Sequence, residues 1–269
     1  MMAAGGLSAR RNLAPAFGSS EKIQPQYEIF PSETIRSPRL FPRFSTKTPR
    51  IAIIIDDVGY NKSVANALLN LNANLTFSVL PHSPFHKEFL KKAKERGAEI
   101  MLHLPMEPVE YPRINPGPGA LLTSMSPKQI LAQLKDNLAS VPFAKGVNNH
   151  MGSKMTTISS HMYPIFQYLK SQDLFFIDSY TTPDSCCGFP ARTIKIPFAR
   201  RDIFIDHFRT SEFIHKQIDQ LIKIAEHQGE ALGIGHPYPE TLKALKKALP
   251  YIREKVKIVP ASQVVHTIG

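Results

Sequence analysis

The chain has 269 residues and a formal charge of +11 from 33 Lys and Arg against 22 Asp and Glu, with 42% hydrophobic and 20% charged residues. That is the composition of a soluble globular protein with room for one large α/β domain or two small ones. It excludes a membrane span, since no run approaches about 20 apolar residues, and a disulfide framework, since the only cysteines, Cys186 and Cys187, are neighbours.

Residues 1–48 are rich in Pro, Ser, Gly and Arg and show no sustained periodicity, so a disordered or loosely docked extension is expected there. Short apolar pieces at Tyr27–Phe30 and Leu40–Phe44 offer places to pack. The extension lacks the apolar core of about 7–15 residues that marks a signal peptide. A cytoplasmic location, or export by a segment or route not visible in this sequence, is therefore expected. The positive charge permits an anionic partner. With no Trp, no interleaving of aromatic and basic residues and no helix-turn-helix signal, nucleic acid is not expected.

From residue 51 strand-like and helix-like runs alternate. Ile51–Asp56 reads as a strand buried on both faces, followed by helical spacing at Val64, Leu68 and Leu71. Thr76–Leu80 is a strand, Phe85, Phe89 and Ala93 share a helix face, and Glu99–His103 is a strand stopped at Pro105. The Pro-rich stretch from Glu107 to Ser126 reads as a long substrate-binding loop. Ser126-Pro127 starts the helix of Ile130, Leu134 and Leu138. A strand end at Gly146-Val147 follows, then a helix through Met162, Ile165 and Leu169, and strands at Leu174–Asp178 and Ile203–Asp206. A long helix from Ile214 to Ala225, a strand at Ala231–Gly235, a helix through Leu242, Leu245 and Ile252 and a strand at Lys257–Pro260 complete the pattern. This alternation predicts an α/β fold, a distorted (β/α) barrel of about seven strands over residues 49–269, with a doubly wound open sheet as the alternative.

The predicted strand ends carry the chemistry. Asp56 and Asp57 follow the first strand; two adjacent carboxylates repel, more so when desolvated, and a bound cation relieves them. His103 and Glu107 follow the third strand, and Asn148, Asn149 and His150 the fourth. Asp178, Asp206 with His207, and His236 follow later ones. In a parallel barrel all these ends open on one face. His and Asp donors suit Zn²⁺ foremost, with Ni²⁺, Mn²⁺ or Fe²⁺ as alternatives, and two His with one Asp leave an open catalytic position. Each residue also has an ordinary reading: one Asp of the pair as a helix cap, His103 as a core histidine, His150 as a turn residue, His236 as a strand cap, Asp178 and Asp206 as caps or loop hydrogen-bonders. His82, His86, His161, His215, His227 and His266 have no such setting.

Asp56-Asp57, His103-Leu104-Pro105-Met106-Glu107-Pro108, Asn148-Asn149-His150-Met151-Gly152-Ser153, Phe176-Ile177-Asp178-Ser179 and Gly235-His236-Pro237 together resemble the divergent polysaccharide deacetylase family, over about residues 50–265. The resemblance implies a distorted (β/α) barrel and a metal-dependent hydrolase that removes acetyl groups from a polysaccharide, with a cell-envelope or periplasmic location. It implies Asp56 as general base, Asp57 and His103 as metal ligands and His236 as general acid. In the wider superfamily the second ligand His lies four residues after the first. Here Glu107 stands there, so His150 is expected as the third ligand, with Glu107, Asn149 and Asp178 as alternative ligands or supports. The superfamily's base-orienting Arg has no counterpart, and Asn148-Asn149-His150 occupies roughly its place. A glycan is the expected substrate. The rival reading keeps the fold without catalysis, as a carbohydrate-binding or envelope-organising protein.

Overall fold

The computed structural model describes residues 48–268. The proposed N-terminal extension and its two apolar pieces lie outside the described residues, save for Thr48. In chain order the elements are β1 (Arg50–Val58), α1 (Lys62–Leu69), β2 (Thr76–Val79), α2 (His86–Glu95), β3 (Glu99–Met106), α3 (Pro127–Ser140), β4 (Gly146–Met151), α4 (Ser159–Ser171), β5 (Phe175–Asp178), α5 (Gly188–Ile194), β6 (Pro197–Arg200), β7 (Ile203–Phe204), α6 (Ser211–Gln228), β8 (Glu230–Gly235), α7 (Pro239–Lys255), β9 (Lys257–Ile258) and β10 (His266–Thr267).

The ladder runs β10-β6-β5-β4-β3-β2-β1-β8-β7, parallel throughout except for β10 against β6, and β9 adds to the start of β1. Apart from the short antiparallel β10, the two ends of the parallel ladder belong to one peptide. β6 pairs with β5, only Arg201 and Asp202 intervene, and β7 then pairs with β8. The Arg201 N–H donates to Asp178 O and the Asp202 N–H to Leu232 O, so the chain steps from one edge to the other. Residues 197–204 therefore act as a single split stave. With it the barrel has the expected seven: β1, β2, β3, β4, β5, β8 and the split one.

The period of two along each strand sorts side chains to two faces. Ile51, Ile53, Ile55, Leu102, Leu104, Val147 and Phe176 pack outward against the helices. Ala52, Ile54, Met101, Phe175, Ile177, Leu232 and Ile234 form a second cluster inside the barrel. Continuing each inner row toward the C-terminal end meets Asp56 after Ile54, His103 after Met101, Ser179 after Ile177 and His236 after Ile234. The interior is thus an apolar plug below and a polar floor above.

One helix start and one helix end bear out their sequence signals. The Ser126 hydroxyl accepts from the Gln129 N–H while Oε1 of Gln129 accepts from the Ser126 N–H, with Pro127 in the first turn of α3. At the other end of α6, Gly229 closes the helix at a left-handed φ of 87°. Some boundaries differ from expectation. Leu71 lies beyond the end of α1. β3 passes through Pro105 to Met106. Beyond Leu102 it has left β2 and meets only β4 and, through a single bridge at Met106, Leu121 of the following loop, so a residue without an N–H is tolerated there. α5, β6 and β10 are additions that the apolar pattern does not announce.

Candidate active site

Asp56 and Asp57 lie within β1 rather than after it. In a regular strand they would face opposite ways. The register moves from Ile55↔Phe77 to Val58↔Val79, three residues against two, and Asp57 has φ 55°. This bulge turns Asp57 inward beside Asp56. Both carboxylates consequently approach one nitrogen: His103 Nε2 is 3.1 Å from Asp57 Oδ1 and 3.7 Å from Asp56 Oδ2.

His103 on β3 and His150 on β4 complete a triangle. His150 Nδ1 is 2.9 Å from Asp57 Oδ1 and 3.2 Å from His103 Nε2. All three residues are buried. Neither oxygen of Asp57 accepts a well-formed hydrogen bond. A buried carboxylate without such partners is costly, and two imidazole nitrogens at that separation converge with it on one place. A triangle with edges of 3.1, 2.9 and 3.2 Å has all its corners within a bond length of about 2.0–2.2 Å of a point just off its plane, the range for Zn²⁺ with N and O donors. The donor set fits a divalent cation.

Asn148 ties the base candidate to the ligand candidate. Its Nδ2 donates to Asp56 Oδ1 at 2.8 Å, to Asp56 Oδ2 at 3.0 Å and to Ser179 Oγ at 3.1 Å. Its Oδ1 lies 2.9 Å from His103 Nδ1 and accepts from Ser78 Oγ at 2.5 Å. On the far side His236 Nδ1 is 2.8 Å from Asp206 Oδ1, and Asp206 Oδ2 accepts from the His236 backbone N–H and from Thr241 Oγ1, both at 2.6 Å. An ionised carboxylate only accepts, so Nδ1 of His236 carries a proton, and Nε2 turns toward the site, 3.8 Å from Asp57 Oδ2. His236 is the most open of these residues, its side chain 12% exposed.

The electrostatics separate the two acids. Burial raises the Asp56 carboxyl and adjacent Asp57 pushes the same way; His103, His236 and the Asn148 amide only partly offset this. For Asp57 burial also acts upward, but the imidazoles of His150 and His103 close beside it hold it well below the ordinary carboxylate range. Burial would depress His236, yet Asp206 first and then Asp57 and Asp56 push it up to about 9. His103 is likewise raised, against burial, by Asp56 and Asp57. Beside a cation site, then, burial raises one carboxyl, the neighbouring imidazoles hold the other low, and the His236 imidazole is pushed up to about 9. Such a set can move protons on both sides of a polarised carbonyl.

The remaining sequence candidates stand apart from the triangle. Glu107 is engaged by Lys154 Nζ at 2.6 Å and by the Thr123 N–H at 2.5 Å, which pins the 107–126 loop; despite burial, Lys154 and Thr123 lower its carboxyl. Asn149, on the outward row of β4, donates to Met151 O at 2.7 Å and accepts from the Ser179 N–H at 2.9 Å. Asp178 accepts from the Tyr180 N–H at 2.8 Å and from Ser185 Oγ at 2.7 Å. Asn148 entered the sequence reading only within a motif and Ser78 not at all; Thr241 was likewise missed, Ser179 stood only within a motif, and Asp206 was read as a cap or loop hydrogen-bonder. Extending the inner rows of the strands upward, from Thr76 to Ser78 and from Gly146 to Asn148, would have found the first two.

The barrel has the fold of polysaccharide deacetylases. A family model described as divergent polysaccharide deacetylase matches residues 53–265, and the chain belongs to that family. It is 31% identical over 217 residues to the uncharacterized protein YibQ of Escherichia coli (strain K12), covering 81% of this chain and 67% of that one. The uncharacterized protein ATU2773 from Agrobacterium tumefaciens C58 has a crystal structure with TM-score 0.78 and 26% identity, covering 83% of this chain and 92% of that one. More distant structures share the fold alone. Peptidoglycan deacetylase PdaC from Bacillus subtilis matches at 16% identity and TM-score 0.51 over 80% of this chain and 89% of its own. A CE4 family pseudoenzyme from Bacillus anthracis matches at 11% and 0.52 over 85% and 69%. No helix among the described residues is long and apolar enough to cross a membrane.

Proposed function

We propose that the protein is a metal-dependent hydrolase that removes acetyl groups from a carbohydrate of the cell envelope. The reading rests on the juxtaposition of three groups with different tasks: the Asp57–His103–His150 triangle, Asp56 beside it, and His236 across from both. A divalent cation held by the triangle, Zn²⁺ foremost, supplies Lewis-acid chemistry, polarising a carbonyl and acidifying water. Asp56 takes the proton of the attacking water on its carboxylate, which the Asn148 amide aims. His236, held by Asp206 with its proton on Nδ1, gives the proton on Nε2 to the departing amine or alcohol. The family supports a glycan substrate and an envelope location.

The test is acetate release from acetylated glycans by the Zn²⁺-loaded protein. Asp56→Asn keeps size and polarity and removes the base. It should lower release by roughly 10²–10⁴-fold while Zn²⁺ is retained. Asp57→Asn should lose the metal first, with activity following. A loaded wild-type protein that binds an acetylated glycan and releases no acetate would leave the rival, a carbohydrate-binding role for the same barrel.

A further inference from the structure

Asp56 and His103 belong to different tasks, yet one side chain touches both. We propose that Asn148 is a positioning residue that sets the His103 tautomer and aims the Asp56 carboxylate with a single amide, so that metal binding and proton transfer share one support. The inference deepens the deacetylase reading and rests on it for the Asp56 half alone.

The argument follows from which atoms can donate. Asp56 as a carboxylate only accepts, and it meets Asn148 through both its oxygens at 2.8 and 3.0 Å. The amide must therefore present its NH₂ there. One N–H is shared between the two oxygens and the other points to Ser179 Oγ at 3.1 Å. Oδ1 is then forced to the opposite side, where it accepts from Ser78 Oγ. The remaining neighbour of that oxygen is His103 Nδ1 at 2.9 Å, which must carry a hydrogen to bond it. With Nδ1 protonated, Nε2 is left to offer its lone pair, and Nε2 is the atom 3.1 Å from Asp57 Oδ1 and 3.2 Å from His150 Nδ1. The orientation of one amide thus chooses the nitrogen that faces the cation. Asn148 is fully buried and held by two hydroxyls, so the amide has no alternative pose that keeps its bonds. A cationic side chain in its place would aim Asp56 equally well, but it has no acceptor for the imidazole. The amide is the group that offers both.

Two substitutions separate this from a packing role. Asn148→Asp keeps an acceptor for His103 Nδ1–H and places a like charge where Asp56 had a donor. Asn148→Ala removes both. The readouts are Zn²⁺ affinity by chelator competition, acetate release and thermal unfolding. Asn148→Asp should hold Zn²⁺ within a few-fold of wild type while acetate release falls by about 10²-fold or more. Asn148→Ala should weaken Zn²⁺ by about 10–100-fold, the scale for removing a partner behind a ligating imidazole. Unchanged Zn²⁺ affinity in Asn148→Ala, or equal Zn²⁺ affinities in the two variants, would overturn the proposal. If the Ala variant does not fold, a loss of Zn²⁺ by Asn148→Asp in step with its activity does the same. Should wild type release no acetate, the deacetylase reading fails, and the Zn²⁺ affinities still decide whether Asn148 sets the ligand.

Discussion

At the scale of single residues, the site is built from groups that correct one another. Asp206 gives His236 a fixed tautomer and a proton held up to about 9, against burial, which acts the other way. This has a consequence for stability in the metal-free protein. The folded-state value lies above the ordinary 6.5, so the folded state binds the proton more tightly than the unfolded chain. The contribution is full below about pH 6.5 and disappears as pH rises through about 9. Asp206→Asn leaves donors at His236 and Thr241 facing an amide and breaks a buried pair. It should cost about 3 kcal/mol at pH 6, and the gap to wild type should narrow toward pH 10. Urea unfolding across that range measures it, and parallel curves for the two proteins would refute the pairing. The residues that could be read from the sequence were those whose type is rare in an apolar strand: Asp56, Asp57, His103, His150 and His236. Asn148 and Ser78 were legible only as members of inner strand rows, because an amide or hydroxyl in a strand is common and its role shows only in its three-dimensional partners. Asp206 read as a cap or loop hydrogen-bonder because nothing local pairs it with His236, which is 30 residues away.

At the scale of elements, the strand pattern was legible and its irregularities were not. Ile51–Ile55 announces β1, but the bulge that brings Asp57 inward has no apolar signature. Gly59 gives part of the signal. Its φ is 137°, and a Cβ there would lie 1.8 Å from Ser83 Oγ, which is itself bonded to Leu80 O at 2.7 Å. The end of the bulged strand and the turn before α2 are therefore locked through a position that accepts only glycine. Gly59→Ala should destabilise the protein by about 2–3 kcal/mol, from backbone strain and displacement of Ser83. Because Asp57 is two residues away, Zn²⁺ affinity should fall as well. Unfolding measurements with and without Zn²⁺ read both effects; an Ala variant as stable as wild type would show that the turn is free to relax. The first half of the split stave was hidden for a related reason, while its second half at Ile203–Phe204 lies within an expected strand. Pro197–Arg200 is short, begins with proline, ends in Arg200 and is followed by Arg201, so it lacks the apolar run that marks the other strands.

At the scale of the whole molecule, the order of strands and helices was enough to expect a barrel, since repeated parallel crossovers leave few alternatives. The choice between barrel and open sheet depended on closure, and closure here comes from one peptide changing partners between β5 and β8, a feature of tertiary register. That closure draws β1, β3 and β4 together at their upper ends, so the triangle is a cross-link among three staves distant in sequence. A ligand that binds only the folded barrel stabilises it by mass action. At a free Zn²⁺ concentration 100 times its dissociation constant the gain is about 2.7 kcal/mol. For a folded unit of this size that raises the unfolding temperature by about 5–10 °C. Asp57→Asn should abolish the shift, because it removes a corner of the triangle. Asp56→Asn should keep it, because Asp56 is assigned to the proton rather than the cation. Differential scanning calorimetry with and without Zn²⁺ measures all three proteins. Equal shifts in wild type and Asp57→Asn would place the cation elsewhere. Loss of the shift in Asp56→Asn would make Asp56 a ligand and leave the reaction without its proposed base.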